Sequence, residues 1–155
     1  MSKIHWLGAG LSAIPGLKML IENDHSVIVY NRTVKKASDA LLGVKGNYQI
    51  VEFSLEAIKK NATAGDVIVS MLPGNFHVPV AELSLSLGAH FVSSSYISDE
   101  MRMLHEESLK KNLCLVNEVG LDPGIDHSMS HALVEDYKNS KGFSVENNHS
   151  FLSYC

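Results

Sequence analysis

The chain has 155 residues, 45% of them apolar and 19% charged, a size and balance that suit one globular domain. A net charge of −4 with no basic block argues against nucleic acid or an anionic membrane surface as partner, and no apolar run approaches the roughly 20 residues of a membrane span. Cys114 and Cys155 follow no disulfide or zinc-ribbon spacing, and Met1 to Leu7 is broken by Gly8 too soon for a signal peptide, so a cytoplasmic setting is expected.

Short apolar runs alternate with helix-like segments along the chain. Ile4 to Leu7 is a strand that stops at Gly8, and Leu11 to Asn23 follows with Leu11, Ile14, Leu17, Leu20 and Ile21 at helical spacing. Pro15 falls near that helix's first turn, where a missing N–H costs little. Ser26 to Tyr30 is a β-branched strand, Val34 to Leu42 a helix, Gln49 to Phe53 a strand and Leu55 to Asn61 a helix. Val67 to Met71 is the fourth strand, Val78 to Leu87 a helix and His90 to Ser94 the fifth strand. Ser98 to Asn112 reads as one helix capped by Ser98, and Cys114 to Val116 as the sixth strand. Asp122 and Pro123 read as the cap and first residue of a helix carrying Ile125, Met129, Leu133 and Tyr137. Strands spaced by helices in this way predict an α/β fold: a doubly wound parallel sheet covered on both faces. Phe151 to Cys155 reads as a strand without a stop signal, as though a further domain followed.

Gly8-Ala9-Gly10-Leu11-Ser12-Ala13 has the form G-x-G-x-x-A between a strand and a helix, the context that gives this motif meaning. The first glycine allows the tight turn, the second lets backbone approach a pyrophosphate, and small Ala13 lets helix and strand close up. The helix N-terminus then offers amides and partial positive charge to the phosphates. The pattern predicts a Rossmann-type NAD(P)-binding domain; the alternative is a plain strand-to-helix turn. An acidic residue after the second strand would accept from a ribose 2′-hydroxyl, but this chain has Asn31-Arg32-Thr33. Arg32 can pair a 2′-phosphate bidentately, with Asn31 and Thr33 donating further, so NADP is favoured over NAD. Arg32 is otherwise a solvated turn cation.

Ligands of open α/β sheets lie outside the carboxyl ends of the strands. Ser70-Met71-Leu72-Pro73-Gly74 is placed to line the nicotinamide half of the cofactor. Ser93-Ser94-Ser95-Tyr96 ends the fifth strand with four hydroxyls, and Asn117 to His127 sets three carboxylates, a histidine and two glycines after the sixth. Asp122 serves equally as a helix cap, Asp126 as a partner for the helix dipole, and Glu118 as a solvated loop residue. His127 and His131 share a helix face but lack an H-E-x-x-H pattern, so no metal site is expected. His5, His25, His77, His90, His105 and His149 are scattered and suggest nothing, while Met101 and Met103 read as helix packing.

Taken in order, Gly8 to Pro15, Asn31-Arg32-Thr33, Ser70 to Pro73, Ser94 to Ser98 and Asn117 to His127 resemble the saccharopine dehydrogenases. Among these the chain is most similar to the N-terminal Rossmann domain of the NADP-dependent, L-glutamate-forming type, the saccharopine reductases. The resemblance covers the whole chain, and G-L-D-P-G-I-D-H at Gly120 to His127 is its most specific part. It implies an oxidoreductase of lysine metabolism that interconverts saccharopine with glutamate and 2-aminoadipate 6-semialdehyde, a hydride passing through an imine. It carries cofactor contacts onto Gly8, Ala9, Gly10, Leu11, Ser12, Asn31, Arg32, Thr33, Leu72, Ser94, Ser95, Leu121, Asp122 and Pro123. Substrate contacts fall on Ser95, Tyr96 and Asp122, with Asp122 a charge partner for the substrate amino group; no catalytic acid or base is singled out.

Two departures stand out. Gly74-Asn75 replaces an aromatic residue usual after the proline. The family chain also continues well past Cys155 into a second domain with further substrate groups, an arginine among them, and the contacts of a homodimer. The expected division is therefore residues 1–144 as the dinucleotide-binding domain and 145–155 as the start of a second domain truncated away. A chain so divided is expected to bind NADP(H) without turnover of its own. The alternatives are an NADP-binding module and a relative acting on another imine. A shikimate-type dehydrogenase is suggested only by Asn31-Arg32-Thr33, without the lysine–aspartate chemistry it needs.

Overall fold

The computed structural model describes residues 2–153. Six strands form one all-parallel sheet: β1 (Ile4–Leu7), β2 (Val27–Asn31), β3 (Tyr48–Glu52), β4 (Val67–Ser70), β5 (His90–Ser93) and β6 (Leu115–Val116). Their order is β3-β2-β1-β4-β5-β6. The chain winds outward from β1 to β3, then crosses back to β4 on β1's other side. This is the order of a classic doubly wound dinucleotide fold, with a topological switch point between β1 and β4.

Seven helices follow their strands: α1 (Ile14–Glu22), α2 (Val34–Ala40), α3 (Leu55–Asn61), α4 (His77–Leu87), α5 (Asp99–Met103), α6 (His105–Lys110) and α7 (Ile125–Lys138). The two-residue alternation of the strands feeds two separate cores. Val27 and Val29 of β2 join Trp6, Ala13, Leu17, Ile21, Ala37 and Leu41 beneath α1 and α2. Ile28 and Tyr30 of the same strand join Leu7, Ile58, Ile68, Val80, Phe91 and Met101 beneath α3, α4 and α5. A strand apolar at every position is thus explained by helices on both faces.

Beneath the sheet's centre, His5 links two strands. Its Nδ1 lies 2.9 Å from Tyr30 Oη and its Nε2 3.1 Å from Asp66 Oδ2. Asp66 also accepts from the Lys3 and Thr63 amides and from the Thr63 hydroxyl. Burial alone pushes the Asp66 carboxyl up, but those donors together hold it at about 2. Burial keeps the His5 imidazole neutral, its pKa below the ordinary value, and raises the Tyr30 hydroxyl to about 12.

Three expectations are corrected. The helix expected over Ser98 to Asn112 is two, because the Leu104 amide turns to Met101 O in a tighter turn that seats Leu104 on the core. The expected cap at Asp122 fails as well. The Asp122–Pro123 peptide is cis, the Ile125 and Asp126 amides close onto Gly120 O and Leu121 O, and α7 starts only at Ile125. Asp126 takes the local capping role, its Oδ1 accepting from Gly124 N at 2.8 Å. Lastly, residues 151–153 form no strand, and Tyr154 and Cys155 lie outside the described residues. The apolar stripe expected on α7 exists, yet no residue of that helix is buried. Among the described residues, no helix is long and apolar enough to cross a membrane.

Candidate functional site

The β1–α1 turn sits where β1 and β4 part. Gly8 has φ +99°, and a Cβ there would stand 2.8 Å from the Met71 carbonyl oxygen, so only glycine fits between the two strand ends. Gly8 N donates to Tyr30 O at 2.8 Å and Gly8 O accepts from the Trp6 indole at 2.9 Å. Gly10 differs: a Cβ on it would meet nothing within 4 Å. That open space is what a second fingerprint glycine leaves for a pyrophosphate. The Ala13 and Ile14 amides fold back onto Gly10 O to start α1, and Ala13 is buried against the sheet. Leu11 is 87% exposed, a bulky apolar side chain left beside the turn rather than in the core.

A cleft of about 290 Å³ opens over this turn, lined by Gly8, Ala9, Gly10, Asn31, Arg32, Thr33, Lys36, Phe53, Met71, Leu72, Pro73 and Phe76. Among the described residues its lining holds two cations and no carboxylate, which suits a phosphate-rich ligand. Arg32 sits at the end of β2. Lys36 adds a second cation from the same turn, one helical turn beyond Thr33. Its neighbour Lys35 points elsewhere and pairs with Asp39 at 3.1 Å. Sequence reading missed Lys36 because two adjacent lysines diverge by about 100° on a helix, and only the backbone direction tells which one faces the cleft.

Asn31 also holds the two turns together. Its Oδ1 accepts from Ala9 N at 3.1 Å and its Nδ2 donates to Thr33 O at 2.8 Å. Those bonds lock the glycine turn to the Arg32 turn and use one of the two Nδ2 hydrogens. Opposite Arg32, Phe53 and Phe76 meet edge to face with centroids 5.7 Å apart. Phe76 stands in the short 3-10 turn Gly74–Phe76. It supplies an aromatic wall that the Gly74-Asn75 departure had put in question.

Leu11 and Ser12 are exposed in the β1–α1 turn, while Ser94, Ser95, Tyr96, Leu121, Asp122 and Pro123 gather beyond β5 and β6, all outside the lining of that cleft. Ser94 packs beside Gly120, where a Cβ would stand 3.1 Å from its own. The Tyr96 hydroxyl donates to Asp122 Oδ1, bringing together two residues 26 apart in sequence. Leu121 is exposed beside them, and Pro123 is buried. The loop carrying Ser95 and Tyr96 is held from β6: Ser93 Oγ donates to Asn117 Oδ1 at 2.9 Å, Ile97 N to Glu118 Oε1 at 3.1 Å, and Glu118 N to Ser95 O at 3.1 Å. Glu118 is a clamp on this loop rather than a solvated residue. No group of metal ligands forms among the described residues.

Compared with known proteins, residues 4–116 match the family model of the saccharopine dehydrogenase NADP-binding domain. The chain belongs to this family. It is 36% identical over 155 residues to the NADP(+), L-glutamate-forming saccharopine dehydrogenase of Saccharomyces cerevisiae, covering 96% of this chain and 33% of that one. It is 35% identical over 137 residues to the alpha-aminoadipic semialdehyde synthase of Arabidopsis thaliana, covering 86% and 12%. The apo L-Glu-forming saccharopine dehydrogenase of Saccharomyces cerevisiae superposes with a TM-score of 0.74 at 28% identity, over 88% of this chain and 31% of that chain. The chain therefore spans about a third of the fungal relatives it matches. Scyllo-inositol dehydrogenase of Lactobacillus casei, at 15% identity and a TM-score of 0.64, shares the fold.

Within this saccharopine dehydrogenase domain, His77 is the residue that sequence reading passed over. It opens α4 and is 4% exposed, between Ser70 Oγ at 3.0 Å and Ser95 Oγ at 2.7 Å. Burial lowers its pKa. No local signal marks it, because its two partners come from the ends of two different strands.

Proposed function

We propose that this domain is the cofactor half of an NADP-dependent saccharopine dehydrogenase. The observation that carries the reading is the cleft lined by the Gly8–Gly10 turn and by Arg32 and Lys36 with no carboxylate. Gly8 and Gly10 give backbone access to the pyrophosphate, Arg32 and Lys36 meet the 2′-phosphate, and Phe53 and Phe76 wall the adenine side. Leu72, Ser94 and Ser95 lie toward the nicotinamide end, followed by the Leu121-Asp122-Pro123 segment. The bound cofactor supplies a hydride acceptor or donor. The substrate is an amino-acid-derived secondary amine, saccharopine: loss of hydride from its carbon and of a proton from its nitrogen gives an imine, and water cleaves it to glutamate and 2-aminoadipate 6-semialdehyde. Ser95, Tyr96 and Asp122 face that substrate, Asp122 pairing its amino group while Tyr96 holds the carboxylate in place.

Residues 1–144 form the nucleotide domain and 145–155 lead into a second domain. The exposed stripe of Ile125, Met129, Leu133 and Tyr137 on α7 supports a further covering layer, since 14 helical residues without one buried side chain are unusual beside a packed core. The complete protein is a cytoplasmic homodimer acting on a small amino-acid substrate. As it stands, the 155-residue chain is a binding module: Ser95, Tyr96 and Asp122 are not enclosed. Titration of Trp6 fluorescence with NADPH, followed by an assay of saccharopine oxidation, tests both halves. Binding without turnover is expected; no binding, or turnover at an ordinary enzymatic rate, contradicts the reading.

A further inference from the structure

The hydrogen atoms of the Ser70–His77–Ser95 chain can be assigned by elimination. The Ser70 hydroxyl is fully buried, and its sole hydrogen-bond partner among the described residues is His77 Nδ1. A buried O–H that merely accepts leaves its own proton unmatched, at a cost comparable to a lost hydrogen bond. Ser70 therefore donates to Nδ1. A neutral imidazole then carries its one proton on Nε2 and donates it to Ser95 Oγ. That uses a lone pair of Ser95 and leaves its proton to point outward, where the half-buried hydroxyl meets no second protein partner among the described residues.

We infer that Ser70 and His77 are positioning residues that fix Ser95 as a hydrogen-bond donor toward the carboxamide oxygen of a bound nicotinamide. The inference rests on the cofactor reading above. Across the sheet the 2′-phosphate turn ends β2, the pyrophosphate turn ends β1, and β4 and β5 come next, so the nicotinamide end arrives where Ser70 and Ser95 stand. The Ser95 backbone is itself held, its amide donating to Ser93 Oγ and its carbonyl accepting from Glu118 N. With the opposite tautomer, Ser95 would offer only lone pairs and repel a carbonyl.

Nitrogen-15 NMR of the His77 ring in the free chain tests the assignment directly. The expected result is a proton on Nε2; a proton on Nδ1 overturns the inference. The second measurement compares NADPH with 2′-phospho-ADP-ribose, which lacks the nicotinamide. Ser95→Ala is expected to weaken NADPH about two- to ten-fold, the worth of one hydrogen bond, and to leave 2′-phospho-ADP-ribose unchanged. Ser70→Ala touches no ligand, yet it is expected to mix the tautomers and weaken NADPH in the same direction. Unchanged NADPH affinity in both variants, or equal losses for both nucleotides, overturns the inference. If wild-type chain binds neither nucleotide, the cofactor reading fails, and with it the carboxamide role of Ser95; the ring tautomer still reports on the hydrogen-bond chain.

Discussion

At Gly8 the backbone is constrained from two directions, by a positive φ and by the Met71 carbonyl 2.8 Å from where a Cβ would stand. Gly8→Ala is expected to cost about 1–3 kcal/mol in urea denaturation and to abolish nucleotide binding, since β1 and β4 must part to admit the methyl. Arg32 and Lys36 are exposed and carry no structural load, so their loss is expected to show in binding alone. Arg32→Ala should weaken NADPH about 10- to 100-fold, as a charge-assisted hydrogen bond is worth, while NADH changes about two-fold at most. Equal losses for both nucleotides would remove the 2′-phosphate assignment. The buried ionisable groups set the acid limit. His5 and His77 have pKa values below the ordinary one in the folded state, so the unfolded chain takes up their protons first and stability falls as pH drops below about 6.5. Asp66 adds a second loss as pH falls from about 4 toward 2, because its folded carboxyl titrates at about 2. Denaturation midpoints at pH 7.5, 5.5 and 3.5 are expected to decline in that order, and Asp66→Asn is expected to make the second step smaller. Legibility at this scale followed locality. Gly8, Gly10 and Arg32 announce themselves by spacing, whereas Asn31, Lys36 and His77 take their roles from partners or directions set by the tertiary fold.

The elements divide by the same logic. Strands β2 and β4 were readable to within a residue or two, because both faces are covered and Val27 to Tyr30 and Val67 to Val69 are unbroken apolar runs. Ser54 and Ser98 cap their helices as residue type suggests, accepting from Ala57 N and Met101 N. Either serine replaced by alanine is expected to cost about 1 kcal/mol of unfolding free energy, read from the denaturation midpoint. The break at Leu104 and the late start of α7 were not readable. The first is a tightened turn without glycine or proline, and the second depends on carbonyls of Gly120 and Leu121 folding over the residues that sequence reading took for the cap. The apolar residues Ile125, Met129, Leu133 and Tyr137 that the sequence places on α7 are all exposed. Leu133→Ser is accordingly expected to change stability by no more than about 0.5 kcal/mol in this chain, against about 2–5 for Leu17→Ala in the closed core. A large loss at Leu133 would mean that α7 is already covered in solution.

Over the whole molecule, one sheet order explains why the site lies where it does. The crossover from β3 to β4 opens the crevice, the turns ending β2, β1 and β4 line it from the cationic Arg32–Lys36 corner to Pro73, and Ser95 stands at the end of the next strand. That order follows from strand–helix alternation and right-handed crossovers, which is why fold class and the place of the cleft were legible together. The pairing of Tyr96 with Asp122 was less so: the two meet only because β5 and β6 are neighbours. On the proposed reading, this chain holds NADP through the Gly8–Gly10 turn and the cation pair beside it. Calorimetric titration of the 155-residue chain with NADPH and, separately, NADH tests it most directly. Saturable one-to-one binding of NADPH, at least about ten-fold tighter than NADH, is the expected result; equal affinity for the two, or none for either, would contradict it.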